Sequence, residues 1–202
     1  FYGYLFDQEY FEQTGEWWYL TPVNPNTGKA GVVRAENASA SDRQIIGQAQ
    51  PLFTFGWNNT IRYKNFDATI FFRGVFGNKI LNVTRWAYGP SESQSLNVFM
   101  KDSVGDDVVY TNKTNFSSFY LEDGSYIKLD NITLGYTYDL PKGSSVEKLR
   151  FYVTGQNLLT LTKYSGLDPE VDTNSVWSAG IDYCDFYPTV ATVLFGVNLT
   201  FN

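Results

Sequence analysis

Apolar and polar positions alternate along residues 189–201, TVATVLFGVNLTF. Ala191, Val193, Phe195, Val197, Leu199 and Phe201 share one face. Thr192, Gly196, Asn198 and Thr200 share the other, where Val190 and Leu194 intrude. A repeat of two predicts a β-strand. Soluble strands usually run ~5–6 residues. This alternation holds for roughly twice that, reaching the ~9–11 residues a tilted strand needs to cross a bilayer. One continuous apolar face opposite small and polar side chains suits a wall with lipid on one side and a wet lumen on the other.

The same pattern predicts four more strands. Over residues 149–162, Leu149, Phe151, Val153, Leu159 and Leu161 alternate with Arg150, Thr154, Gln156, Thr160 and Thr162. Arg150 and Gln156 would be costly in a dry core but cost little against water. Over 125–139, Ile132, Leu134, Tyr136 and Tyr138 alternate with Thr133, Gly135 and Thr137. Residues 52–64 and 66–77 read as a hairpin about a tight turn at Lys64-Asn65. Its apolar rows are Phe53, Phe55, Trp57, Ile61, Tyr63 and Phe66, Ala68, Ile70, Phe72, Phe76. Its polar rows include Thr54, Asn58, Thr60, Arg62 and Asp67, Thr69, Arg73, with Phe71 an exception.

Connections alternate strictly between long and short. Residues 12–49, 78–122 and 163–188 are long, polar and rich in turn residues, whereas 64–65 and 140–148 are short. That asymmetry is expected of an outer-membrane barrel, with long loops outside and short turns in the periplasm. Residues 1–11 read as part of a sixth strand running out into a loop. Five strands and a stub cannot close a barrel, and open edges in lipid leave backbone groups unsatisfied. The chain is therefore expected to be a piece of a larger barrel.

Composition narrows the function. The net charge is −6 with no His, which argues against nucleic acid, whose partners are basic. No run approaches the ~18 apolar residues of a transmembrane helix. Cys184 is the one cysteine, so no intrachain disulfide forms. Without a histidine nothing obvious activates it, and it reads as structural. Asp168, Glu170 and Asp172 in YSGLDPEVD lack the glycine-centred ligand spacing of a calcium loop and read as a solvated acidic loop, as do Asp106 and Asp107. No catalytic residue, metal site or cofactor is predicted. N-x-Ser/Thr triplets begin at Asn37, Asn58, Asn82, Asn112, Asn115, Asn131 and Asn198. Several fall inside strands, where they reflect lumen composition rather than glycosylation.

The runs LEDGSYIKLDNITLGYTYDLP (121–141), LRFYVTGQNLLTLTKYSGLDPEV (149–171), GID (180–182) and YPTVATVLFGVNLTF (187–201) resemble the C-terminal end of SusC/RagA-type TonB-dependent outer-membrane transporters of Bacteroidetes. FYGYLFD (1–7), the segment 42–74 and Arg85-Trp86 fit the same family in the same order. The resemblance spans essentially the whole chain. It implies an all-β fold: the C-terminal segment of a 22-stranded antiparallel transmembrane β-barrel, a size whose lumen is plugged. Residues 1–202 would supply the last five strands and part of a sixth, without the plug domain. It further implies import of oligosaccharide or oligopeptide, a SusD-like surface lipoprotein over the barrel mouth, and energy from TonB acting through the plug. Family members often carry an Asp- and Gly-rich run before the strand at Asp42. Here residues 29–42 read KAGVVRAENASASD, so no metal is inferred. Asn202 follows the usual terminal aromatic.

Trp17, Trp18, Trp86, Tyr88, Trp177 and Tyr183 fall on the long-loop side and are candidates for stacking on substrate or touching the lid lipoprotein. The alternative is packing within the loops and the aromatic girdle. Asp67, Arg73, Arg150, Gln156 and Asn198 are placed on the lumen side, against plug, path or water. A rival from another class is a secreted, aromatic-rich β-sandwich that binds glycans, with apolar faces packed on each other. A surface hydrolase has neither nucleophile elbow nor metal motif to support it.

Overall fold

The computed structural model describes residues 1–88, 115–141, 143–171, 179–183 and 187–201. In chain order, β1 (Tyr2–Gly3), β2 (Leu5–Phe6), helix α1 (Gln8–Thr14), β3 (Trp18–Leu20), β4 (Val32–Arg34) and β5 (Gln44–Ile45) come first. The long strands β6 (Phe53–Tyr63) and β7 (Phe66–Phe76) follow, then β8 (Lys79–Asn82), helix α2 (Val83–Tyr88) and β9 (Leu121–Asp123). Next are β10 (Tyr126–Asp139), β11 (Val146–Thr162), the short β12 (Ile181–Asp182) and β13 (Thr192–Phe201). The chain divides into two compact units: one of Phe1–Pro51, Asn78–Asp123 and Tyr164–Phe186, the other of Leu52–Gly77, Gly124–Lys163 and Tyr187–Asn202.

The second unit is a single antiparallel sheet in the order β13-β11-β10-β7-β6. The eleven residues of β6 extend about 36 Å at ~3.3 Å per residue, or about 28 Å of height at a barrel-like tilt of ~40°. The starts of β6, β10 and β13 and the ends of β7 and β11 lie at one end of the sheet, so every long connection leaves from that end. Lys64-Asn65 and the Pro141-containing turn close the other. Asn65 ties the first of these turns to β10, its Nδ2 donating to the Thr137 carbonyl at 2.6 Å and its carbonyl accepting from Thr137 N at 2.8 Å.

Pairing keeps the apolar rows in register. Ile61, Ala68, Leu134, Val153 and Phe195 stand side by side across five strands. The row is bare: Phe195 is 84% exposed and Ile61 57%. A sandwich needs a second layer over this face, and the unit has one layer, which removes the sandwich alternative. Each large apolar side chain left in water forgoes about 1.5–3 kcal/mol, a strong drive to cover the face with hydrocarbon. Aromatic residues stand toward both strand ends of that face. Phe53, Phe55 and Phe76 stack at the long-connection end, and Phe66 packs on Tyr136 at the short-turn end.

One irregularity shifts the pattern in β10. The pairing slips between Leu129 and Asn131, leaving Asp130 as a bulge. Apolar Ile127 and Leu129 therefore share a face with Ile132, Leu134 and Tyr136, although their parity differs. Opposite, Asn157 takes a positive φ of 53°, a conformation asparagine tolerates.

The first unit is built differently from the irregular loops expected. The expected sixth strand is absent from the large sheet: Tyr2–Gly3 pairs with β5 and Leu5–Phe6 with β3, both inside this unit. Asp7 then caps α1 by accepting from Tyr10 N at 3.0 Å, and Gly15 ends it at φ 70°. Two three-stranded sheets, β2-β3-β4 and β12-β8-β9, complete the unit. Its core is aromatic: Tyr4, Phe6, Trp17, Tyr19 and Tyr120, with Phe11, Trp86, Phe116 and Phe119 against them.

Candidate functional site

The polar face of the five-stranded sheet carries Asp67, Arg73, Arg150, Gln156 and Asn198 in ordered rows. Nearest the short turns, Asp67 on β7 and Arg150 on β11 form a two-pronged ion pair, Nε to Oδ1 at 2.9 Å and Nη2 to Oδ2 at 2.5 Å. They are not on neighbouring strands. The bridge passes over Gly135 of β10, where an added Cβ would lie 2.5 Å from Arg150 Nη2 and 2.6 Å from Asp67 Oδ1. Glycine leaves the space that the pair occupies. Asn198 on β13 stands directly opposite Arg150. An open cavity of about 500 Å³ lies here, bordered by Thr60, Arg62, Lys64, Asp67, Thr137 and Arg150.

The next full row is neutral. Thr60, Thr69, Thr133 and Thr154 cross four strands in line. Thr133 and Thr154 hydroxyls meet at 2.8 Å, and Thr60 and Thr69 at 3.4 Å. Beyond it Asn131, Gln156 and Thr192 continue the band across β10, β11 and β13. Farther toward the long connections, Arg73 Nε donates to Asp130 Oδ1 at 2.9 Å and Nη1 to the Tyr126 hydroxyl at 3.1 Å. Lys128 beside it is fully buried and donates to Thr189 Oγ1 at 2.7 Å. The face thus presents a neutral hydroxyl and amide band between two charged bands, each of which contains an ion pair.

Tyr126, Lys128 and Asp130 were missed from the sequence. A signal existed: the apolar set of β10 changes parity at residue 130, which marks an extra residue and re-aims a carboxylate. That Arg73 would receive it depends on strand pairing, not on local pattern.

The loop aromatics separate into groups. Trp17 is a correction: it is 7% exposed, inside the aromatic core, 4.7 Å from Phe6 and 4.8 Å from Phe119 by ring centres. It packs the unit and offers no surface for a ligand. Trp18, next in the chain and directed oppositely, is half-buried. The Arg34 guanidinium lies 5.4 Å over its ring, Tyr10 is 4.9 Å away, and its Nε1 donates to Glu16 at 3.0 Å. Trp86 on α2 is half-buried against Phe116 and Tyr120. Tyr183 is half exposed. Tyr88 ends α2. Trp177 lies outside the described residues, as do Asp106, Asp107, Asp172 and Cys184. The structure does not bring the described candidates together into one cleft.

The acidic segment is also not fully solvated, because Asp168 is buried, accepting from Glu170 N at 2.9 Å. In the same unit the Tyr164 hydroxyl donates to Asp182, while Glu122 accepts from Ser165 N and Oγ and from Asn82. Burial raises the Asp182 carboxyl above the usual carboxylate range; Tyr164 opposes this, and the nearby Glu122 and Asp168 reinforce it. Burial likewise raises Tyr164, and pushes Tyr19 up to about 12. Among the described residues no three carboxyl or thiol groups converge to hold a metal ion.

No family model matches the chain. Curated proteins do. It is 39% identical over 179 residues to TonB-dependent receptor P3 of Formosa agariphila, covering 81% of this chain and 18% of that receptor. It is 30% identical over 178 residues to TonB-dependent receptor SusC of Bacteroides thetaiotaomicron, covering 80% of this chain and 16% of SusC. The chain therefore spans less than a fifth of the length of these relatives. Among solved structures, the RagAB peptide transporter superposes with a TM-score of 0.74 at 23% identity, over 98% of this chain and 22% of the other. RagAB in its open-open state gives 0.73 at 22% identity, over 100% and 22%. These structural likenesses establish that the chain has the fold of a segment of the RagAB transporter.

Proposed function

The chain is related to the SusC/RagA-type TonB-dependent receptors of the bacterial outer membrane, and we propose that it serves nutrient import as part of the wall and outer loops of such a receptor. The observation that carries this reading is the five-stranded sheet. Its strands have bilayer length, one face is apolar and bare, the other is polar, and all long connections leave from one end. A transport role needs no catalytic constellation, and the relatives' names describe receptors and importers rather than enzymes.

In this reading residues 1–202 are a partial barrel of about 22 strands in all, a size with a plugged lumen. The plug and the remaining strands are supplied by the rest of the receptor, and TonB acts through the plug. A SusD-like lipoprotein covers the mouth, consistent with the paired proteins named in RagAB. The cargo is an oligosaccharide or an oligopeptide, and outer-membrane lipid meets the apolar face. To Trp18, Trp86 and Tyr183, the loop aromatics that are not fully buried, we assign contact with cargo or lid.

The test is uptake. Cells carrying the full receptor and its lipoprotein are given fluorescent oligosaccharide and oligopeptide mixtures, with and without a protonophore. The reading predicts energised uptake of one class, lost on deleting the receptor and on collapsing the proton gradient. Equal accumulation in the deletion strain would overturn it.

A further inference from the structure

Asn59 stands in the apolar face of β6. β6 and β7 pair without a break from Phe53 opposite Phe76 to Tyr63 opposite Phe66. Strict alternation therefore puts Asn59 on the side of Phe55, Trp57, Ile61 and Tyr63. Ile70 lies directly across, with Ala68 and Phe72 on the diagonals. The residue is six positions from Phe53 and four from Tyr63, near mid-depth of a strand long enough to cross a bilayer. Polar groups cost most at that depth. An amide side chain carries two donors and an acceptor. Among the described residues no hydrogen bond holds the Asn59 side chain.

Around Asn59 the sheet leaves one direction open. β6 is the last strand in its order, so its far edge has no neighbour here. On β7 the cross-strand and diagonal positions are hydrocarbon. Directly opposed side chains on an adjacent strand have Cβ atoms about 4.5–5.5 Å apart, close enough for an amide to reach a hydroxyl or another amide. We infer that the strand pairing with the open edge of β6 carries a hydroxyl or amide side chain on its outer side, level with Asn59. The two form a hydrogen bond within the hydrocarbon layer.

This rests on the barrel reading above and adds a function to one residue. A slip of one residue moves every side chain to the opposite face. A slip of two keeps the apolar pattern but strands both polar groups in lipid. Hydrophobic alternation alone does not distinguish registers two residues apart, whereas a paired Asn does. Asn59 thus acts as a register pin at the seam where this sheet meets the rest of the barrel.

The test compares Asn59→Leu and Asn59→Thr in the full receptor, reading the temperature at which the folded band converts to the unfolded one on a detergent gel. The inference predicts that Asn59→Leu lowers the transition by several degrees, because the partner loses its hydrogen bond in lipid. Asn59→Thr, which keeps a donor and acceptor, regains most of the loss. If Asn59 meets only lipid, Leu leaves the transition unchanged or raises it, and the inference fails. Failure of Leu to assemble while Thr assembles supports it; equal failure of both overturns it. A loss that disappears when the receptor is dissociated to single copies places the partner on another chain and also overturns it. Absence of any heat-convertible folded band in the unmodified receptor would instead refute the barrel reading itself.

Discussion

Arginine placed at two positions of β13, three residues apart, should have very different effects. Phe195 lies in the bare apolar row with Val153 and Leu134, and Thr192 lies in the polar row opposite Gln156. Phe195 is 84% exposed, so replacing it leaves no cavity within the sheet, and the penalty is that of moving a guanidinium into hydrocarbon. Near the bilayer midplane that is ~2–4 kcal/mol, or a factor of roughly 30 to 700 in the folding equilibrium at ~1.4 kcal/mol per tenfold. The aliphatic stem allows some snorkelling, which favours the lower half of the range. At Thr192 the new charge faces an amide and water, and a surface change of this kind is worth about 0.5 kcal/mol either way. The assay is urea titration of the full receptor folding into lipid vesicles, followed by tryptophan emission. Equal costs at the two positions, or a larger cost at Thr192, would refute the assignment of faces.

Other expectations follow from the same geometry. Gly135→Ala should displace the Asp67–Arg150 pair, since the new methyl falls within 2.7 Å of three of its polar atoms. A bidentate, partly solvated pair is worth about 1 kcal/mol, so a double-mutant cycle with Arg150→Gln should show that cost with Arg150 present and none without it. Lys64 adopts a positive φ of 54°; Lys64→Gly should stabilise the hairpin by about 1 kcal/mol in the same titration, whereas a loss would show that Lys64 makes a favourable contact there. Asp182 has a raised folded-state pKa, so its neutral form is favoured by folding. Its contribution is fully present below the unfolded carboxyl pKa and is lost as pH rises through the higher folded value. Hydrogen exchange at β12 and residues 164–168 should therefore slow as pH falls through that window, after correction for intrinsic rates, and Asp182→Asn should abolish the dependence. A dependence that persists in the variant would assign the titration to another group.

The long strands were legible because each must satisfy the same constraint, one face apolar for its full length. The alternation in residues 189–201 and 149–162 marks the apolar rows, and Arg150, Asp67 and Asn198 share the opposite, polar face. The charge partners were less legible. Arg150 reaches Asp67 across an intervening strand, and Asp130 reaches Arg73 from a bulge; both depend on register between segments distant in sequence. The first unit was scarcely legible. Its strands are two to four residues long, too short to show a period, and α1 has seven residues. Trp17 and Trp18 show the consequence. Adjacent residues in extended chain point to opposite sides, and no local pattern told which one the core would take.

The most direct test of the central claim is the environment of each β13 side chain in a bilayer. Cys184→Ser, with any further cysteines of the full receptor also replaced, would clear the background, and single cysteines at residues 192 to 199 would carry a bimane fluorophore. Receptors are reconstituted with lipids bearing nitroxide at mid-chain, and quenching is measured position by position. The account predicts strong quenching at 193, 195, 197 and 199 and weak quenching at 192, 194, 196 and 198. Uniform quenching, uniform protection, or the opposite phase would contradict it.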